Sequence, residues 1–200
     1  GYNDVLISND HNEYETVDAL IYWNSGKGFT SLLPELWGQT PLAQTIFDLI
    51  DRKSQVTRLP AFGGGHSVVA DLNGDGYPEI VFCNYIHNYP GNRSAYIYWG
   101  SASGYQPEHK TELPTIWAAG VAVADLNKDG YPDLIFANQG AEAGEEDLYP
   151  DRGLDSYVYW GSATGFDPAH PTLIPTKGAR DVAVADINHD GYLDIAFVNN

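Results

Sequence analysis

The chain has 200 residues, 43% of them hydrophobic and 13% aromatic, with 21 Gly, 12 Pro and no Met. Its formal net charge of −17, from 27 Asp and Glu against 10 Lys and Arg, excludes the basic footprint that holds a phosphate backbone, so nucleic acid is not an expected partner. No apolar run approaches the roughly 18 residues of a membrane-spanning helix, and the single cysteine, Cys83, allows no intrachain disulfide.

The opening stretch GYNDVLISN (1–9) returns as GYPEIVFCN (76–84), GYPDLIFAN (130–138) and GYLDIAFVN (191–199). The chain thus reads as starting in mid-motif, with an apolar strand as its first element. Next, ALIYWNSGKGF (19–29) alternates aromatic and β-branched residues up to a glycine turn, which predicts a strand leading into a hairpin. AYIYWGSASGY (95–105) and SYVYWGSATGF (156–166) repeat it. In the first unit Thr40 and Pro41 suit a helix cap and first turn, and Leu42, Ile46, Leu49 and Ile50 recur at helical spacing. A short amphipathic helix is therefore expected over 41–52, covering the apolar end of a unit. Each unit then closes on TRLPA (57–61), TELPT (111–115) or TLIPT (172–176), and the next begins with a small-residue strand, SVVAD (67–71) or VAVAD (121–125 and 182–186).

The expected unit is four strands: small-residue strand, apolar strand, YWG strand and a strand ending near Leu-Pro. A repeat of about 50 to 60 residues with four strands is the pattern of a β-propeller blade, its small-residue strand innermost. The fold class is therefore all-β, with about three to three and a half blades of four antiparallel strands forming a partial propeller. The single domain 1–200 divides into units 1–61 (lacking its first strand), 62–115 and 116–176 and a half unit 177–200. Since propellers close with about four to eight blades, the remaining blades are expected from a longer chain or from neighbouring copies. Extra residues in AEAGEEDLYPDRGLD (141–155) make an acidic tip between the second and third strands of one unit.

Between the first two strands of both complete units and of the half unit lies the same loop: DLNGDGYPE (71–79), DLNKDGYPD (125–133) and DINHDGYLD (186–194). Oxygen-bearing side chains stand at positions 1, 3, 5 and 9, a glycine at 6, and a backbone carbonyl at 7. A hard cation such as Ca2+ takes about six to eight oxygens, which such a loop is built to supply. The candidate metal ligands are Asp71, Asn73, Asp75, the Tyr77 carbonyl and Glu79; Asp125, Asn127, Asp129, the Tyr131 carbonyl and Asp133; and Asp186, Asn188, Asp190, the Tyr192 carbonyl and Asp194. Three clustered acids in a turn repel one another without a cation, so a turn-only role does not account for three copies. About three Ca2+ sites are expected, with a crippled fourth at Gly1, Tyr2 and Asp4.

The repeated DxNxDGYxD followed by an apolar strand resembles the FG-GAP or VCBS repeat, similar to the calcium-binding blades of integrin alpha-subunit propellers and of secreted bacterial proteins. It is closer to the bacterial branch, because the Phe-Gly and Gly-Ala-Pro signatures are not clearly present, and Glu79 stands where the family usually has Asp. The resemblance implies a secreted or cell-surface module with adhesion or recognition functions. It also implies that ligands, glycans or extracellular proteins, bind at the propeller face opposite the calcium loops. On that face fall His11, Asn12, Tyr14, Tyr85, His87, Tyr89, Arg93, Trp117, Tyr149, Arg152 and Arg180, whose aromatic faces and polar groups suit sugar rings and hydroxyls. The alternative for any one aromatic is a plug between blades.

The resemblance also admits a propeller of a polysaccharide lyase or hydrolase, or a purely structural repeat. A glycosidase needs two carboxyls held at a fixed separation. The candidates Glu142, Glu145, Glu146 and Asp147 share one acidic loop, and His66, His87 and Arg180 are bound together by no sequence pattern, so enzymatic activity ranks behind binding.

Overall fold

In a computed structural model, residues 5–7, 17–23, 56–85, 94–140 and 155–199 are described. They form thirteen strands in four antiparallel sheets. The first sheet is β1 (Val5–Ile7), β2 (Val17–Tyr22) and β3 (Val56–Ala61). The second is β4 (Gly64–Ala70), β5 (Glu79–Asn84), β6 (Ala95–Tyr98) and β7 (Lys110–Leu113). The third repeats it as β8 (Ala118–Ala124), β9 (Asp133–Asn138), β10 (Ser156–Tyr159) and β11 (Thr172–Ile174). The last holds β12 (Ala179–Ala185) and β13 (Asp194–Asn199). Each sheet is a meander with strands in chain order, as a propeller blade requires. The expected helix over 41–52 and the opening loop Gly1 to Asp4 lie outside the described residues.

Strands β5 and β9 are buried along their whole length, because both faces of their sheets are covered. Successive side chains point to opposite faces, and the packing follows that alternation. Val81 and Cys83 of β5, with Ala95 and Ile97 of β6, meet Ala118, Val121, Leu134, Phe136 and Tyr159 of the third sheet. Their neighbours Ile80, Phe82, Tyr96 and Tyr98 face the other way, onto Ala19, Ile21, Leu59 and Ala61 of the first sheet. Ile135, Ala137 and Val158 then pack on Ala179 and Val182 of β12. Continuous apolar runs such as EIVFCN thus serve two cores at once, one strand feeding both neighbouring interfaces. The small-residue strands explain themselves at Gly120, where an added Cβ would stand 2.9 Å from the Asp181 Cα of the adjacent β12.

Polar groups lock the stack at recurring positions. The Tyr98 hydroxyl donates to the Pro60 carbonyl of the preceding unit at 2.6 Å, and Tyr159 does the same to Pro114 at 2.5 Å. Within units, the indole N–H of Trp23, Trp99 and Trp160 donates to the hydroxyls of Thr57, Thr111 and Thr172 at 3.0, 2.9 and 2.8 Å. The Asn that ends each apolar strand clips the connection between units. Asn84 Oδ1 accepts Phe62 N–H at 2.9 Å, Asn138 Oδ1 accepts Ile116 N–H at 3.2 Å, and Asn199 Oδ1 accepts Lys177 N–H at 3.3 Å.

Candidate functional site

The three loops join β4 to β5, β8 to β9 and β12 to β13, so each is carried at the same end of its sheet by the first pair of strands. Their internal hydrogen bonds are nearly superimposable. Asp71 accepts Gly74 N–H at 2.8 Å and Gly76 N–H at 3.0 Å, Asn73 accepts Asp75 N–H at 2.9 Å, and Asp75 accepts Tyr77 N–H at 2.8 Å. In the second loop Asp125 accepts Asp129 N–H at 3.1 Å and Gly130 N–H at 2.9 Å, and Asn127 and Asp129 accept the N–H of Asp129 and Tyr131, each at 2.9 Å. Asp186, Asn188 and Asp190 repeat the set onto Asp190, Gly191 and Tyr192. The glycine at position 6 is required: Gly76, Gly130 and Gly191 sit at φ 86°, 91° and 88°, a left-handed backbone that a Cβ disfavours.

The ninth acid differs from the others. Glu79 and Asp133 have no exposed surface. Glu79 accepts Leu72 N–H at 2.7 Å and Gly100 N–H at 3.3 Å; Asp133 accepts Leu126 N–H and Gly161 N–H, both at 2.8 Å. Burial pushes both carboxyls above the usual carboxylate range, the two N–H groups pull them back, and the nearby loop acids raise them further. Asp194 accepts Ile187 N–H at 3.0 Å. The glycines of the YWG segments are partners in this site that sequence reasoning passed over. An added Cβ at Gly100 would stand 2.5 Å from the Pro78 carbonyl, and one at Gly161 would stand 2.2 Å from that of Pro132, so neither tolerates a side chain. Their recurrence directly after Trp was the available signal.

The donor set is all oxygen, and the position 1 and position 5 carboxylates are aimed by backbone N–H groups that leave lone pairs free, a chemistry that fits a hard divalent cation. Among the described residues, however, no three His, Cys, Asp or Glu side chains are gathered as a ligand cluster. The position 3 amides of Asn73, Asn127 and Asn188 reach the position 5 carboxylates at 3.0, 2.9 and 3.0 Å. Asp190 is held below the usual range by Tyr192 N–H, the Asn188 amide and the charge of Lys128.

At the opposite end of the sheets the structure brings together Tyr85 and Trp117, edge to face at 6.5 Å. Trp117 is 1% exposed, so its ring is a plug and not a presented platform. It takes the left-handed φ of 51° and its carbonyl accepts Gln139 N–H at 3.1 Å. Buried Gln139, which sequence reasoning missed, has an Nε2 without a hydrogen-bond partner among the described residues. Arg180 is exposed, and His66 Nδ1 lies 3.4 Å from Asp181 Oδ1. His11, Asn12, Tyr14, His87, Tyr89, Arg93, Tyr149 and Arg152 lie outside the described residues, as do Glu142, Glu145, Glu146 and Asp147.

Comparison with known proteins is consistent with this geometry. Residues 71–136 match the FG-GAP-like repeat family. Integrin alpha-3 of Mus musculus and of Cricetulus griseus are each 32% identical to this chain over 92 residues, which is 43% of this chain. The matched region spans 8% of the length of either relative.

Proposed function

From a chain that carries an FG-GAP-like repeat over residues 71–136, we propose a calcium-stabilised β-propeller module that recognises an extracellular protein or glycan, at the cell surface or after secretion. The observation that carries this reading is the recurrence of one loop, with one pattern of hydrogen bonds, at the same end of three successive sheets. In each loop the position 1 and position 5 Asp, the position 3 Asn, the position 7 carbonyl and the position 9 acid would hold Ca2+, which supplies charge neutralisation and a fixed loop shape. The protein's part is to aim the oxygens with N–H groups and to anchor the ninth acid to the neighbouring strand.

Recognition is assigned to the opposite end, around Tyr85 and Arg180 and the segments that adjoin them. The remaining blades come from a longer chain or from neighbouring copies. A second reading, a purely structural repeat, is favoured by the burial of Trp117. Thermal melting in Ca2+ and in EDTA tests the metal. At a Kd of about 0.1 mM and about 2 mM free Ca2+, each occupied loop adds roughly 1.8 kcal/mol. A melting curve identical in both buffers would sink the calcium reading. Glycan and extracellular-protein arrays probed with the chain and with Arg180→Ala separate the two functional readings, since only a recognition module gives a signal that the substitution weakens.

A further inference from the structure

The fourth position of the loop is where the three copies diverge: Gly74, Lys128 and His189. All three have left-handed backbones, at φ 75°, 61° and 62°. A lysine gains nothing there locally, because Gly or Asn fills such a position at less cost. Its side chain instead leaves its own loop. Lys128 Nζ donates to the Gly191 carbonyl of the next loop at 2.5 Å and stands 4.2 Å from the centroid of the Tyr192 ring. Gly191 and Tyr192 are positions 6 and 7 of that loop, between Asp190 and Asp194, so a fixed positive charge is placed against the acids of the third loop. The corresponding residue of the first loop, Gly74, has no side chain to offer the second.

We propose that Lys128 is a built-in counter-cation of the third loop: it ties the second unit to the third when no divalent ion is bound, and it makes Asp186–Asp194 the weakest divalent-cation site of the three. The second half rests on the calcium reading given above. An ammonium and a divalent ion in the same loop repel, and at an exposed site the penalty is screened by salt. The first half needs no metal, since the carbonyl and ring contacts join the two loops directly.

Two variants of the full chain test it. Lys128→Gln removes the charge and leaves a shorter, unbranched polar side chain, and Lys128→Arg keeps the charge. In EDTA the Gln variant is expected to melt about 2 to 4 °C below the parent, with the Arg variant close to the parent. In calorimetric titration with CaCl2 at low salt, the Gln variant is expected to tighten one class of sites by about 3- to 10-fold, an effect that shrinks at 0.5 M KCl. The Arg variant should titrate as the parent does. If Ca2+ binds all three proteins with the same affinities, the competition is overturned while the calcium reading stands. If no protein takes up Ca2+, the calcium reading falls and the competition with it. An unchanged melting temperature for Lys128→Gln in EDTA overturns the tether.

Discussion

Asp133 shows how one side chain can serve both the loop and the sheet. It is fully buried, and its two oxygens accept N–H groups from opposite directions, Leu126 within its own loop and Gly161 at the start of the next turn. Asp133→Ala would leave the buried Gly161 N–H and the half-buried Leu126 N–H without an acceptor, at about 1 to 3 kcal/mol each, the second at the lower end. We expect a loss of roughly 2 to 5 kcal/mol in urea unfolding, and we expect it in EDTA as well, because it arises from hydrogen bonds and not from an ion. A loss confined to Ca2+ buffer would reassign the residue to a purely ligating role. Cys83 is a second residue-scale case. Fully enclosed between the second and third sheets, its thiol is pushed well above its usual range by burial, with Asp181 adding repulsion. Iodoacetamide at pH 8 should leave it unmodified in the folded chain and alkylate it fully in urea; fast labelling of the native protein would contradict the packing.

Each element meets its neighbours through a small set of repeated contacts. The YWG strand carries two of them: a Tyr hydroxyl reaching back to the carbonyl of the preceding unit's Leu-Pro strand, and a Trp N–H reaching the Thr of its own. The first joins units and the second closes one. Removing the hydroxyl in Tyr159→Phe leaves the ring in the core against Phe136, edge to face at 6.0 Å, so the cost is one hydrogen bond. That is about 0.5 to 1.5 kcal/mol, and the same is expected for Tyr98→Phe. Because the two bonds sit at different interfaces, the double variant should lose the sum. A marked departure from additivity, measured by chemical denaturation, would mean that the interfaces open together.

For the whole molecule the stacking order matters more than any one contact. Each interior sheet is covered on both faces, whereas the last described sheet has only two strands, and Val198 on β13 is 62% exposed. An apolar face and an unpaired strand edge favour pairing with another strand. The 200 residues alone should therefore associate in a concentration-dependent manner by light scattering. A stable monomer with slow amide exchange throughout β13 would contradict this and would require another way of covering that sheet.

The unit, its four strands and the position of the loops are legible in residue order, because a strand writes its alternation and a loop writes its turn residues into consecutive positions. DxNxDG announces the left-handed glycine and the hydrogen-bonded Asp without any knowledge of distant residues. The FG-GAP-like match over 71–136 takes in two of these loops. What the ninth acid touches is set by the fold, since Gly161 lies far along the chain from Asp133 and meets it through the pairing of β9 with β10. The fold likewise decides that Trp117 is a plug: exposure depends on what the adjacent sheet covers, and no residue near Trp117 in sequence encodes the approach of Tyr85. Lys128 makes the same point at the surface. Its role follows from a neighbouring loop that begins at Asp186, brought within reach only because β12 packs beside β8 and fixes the third loop next to the second.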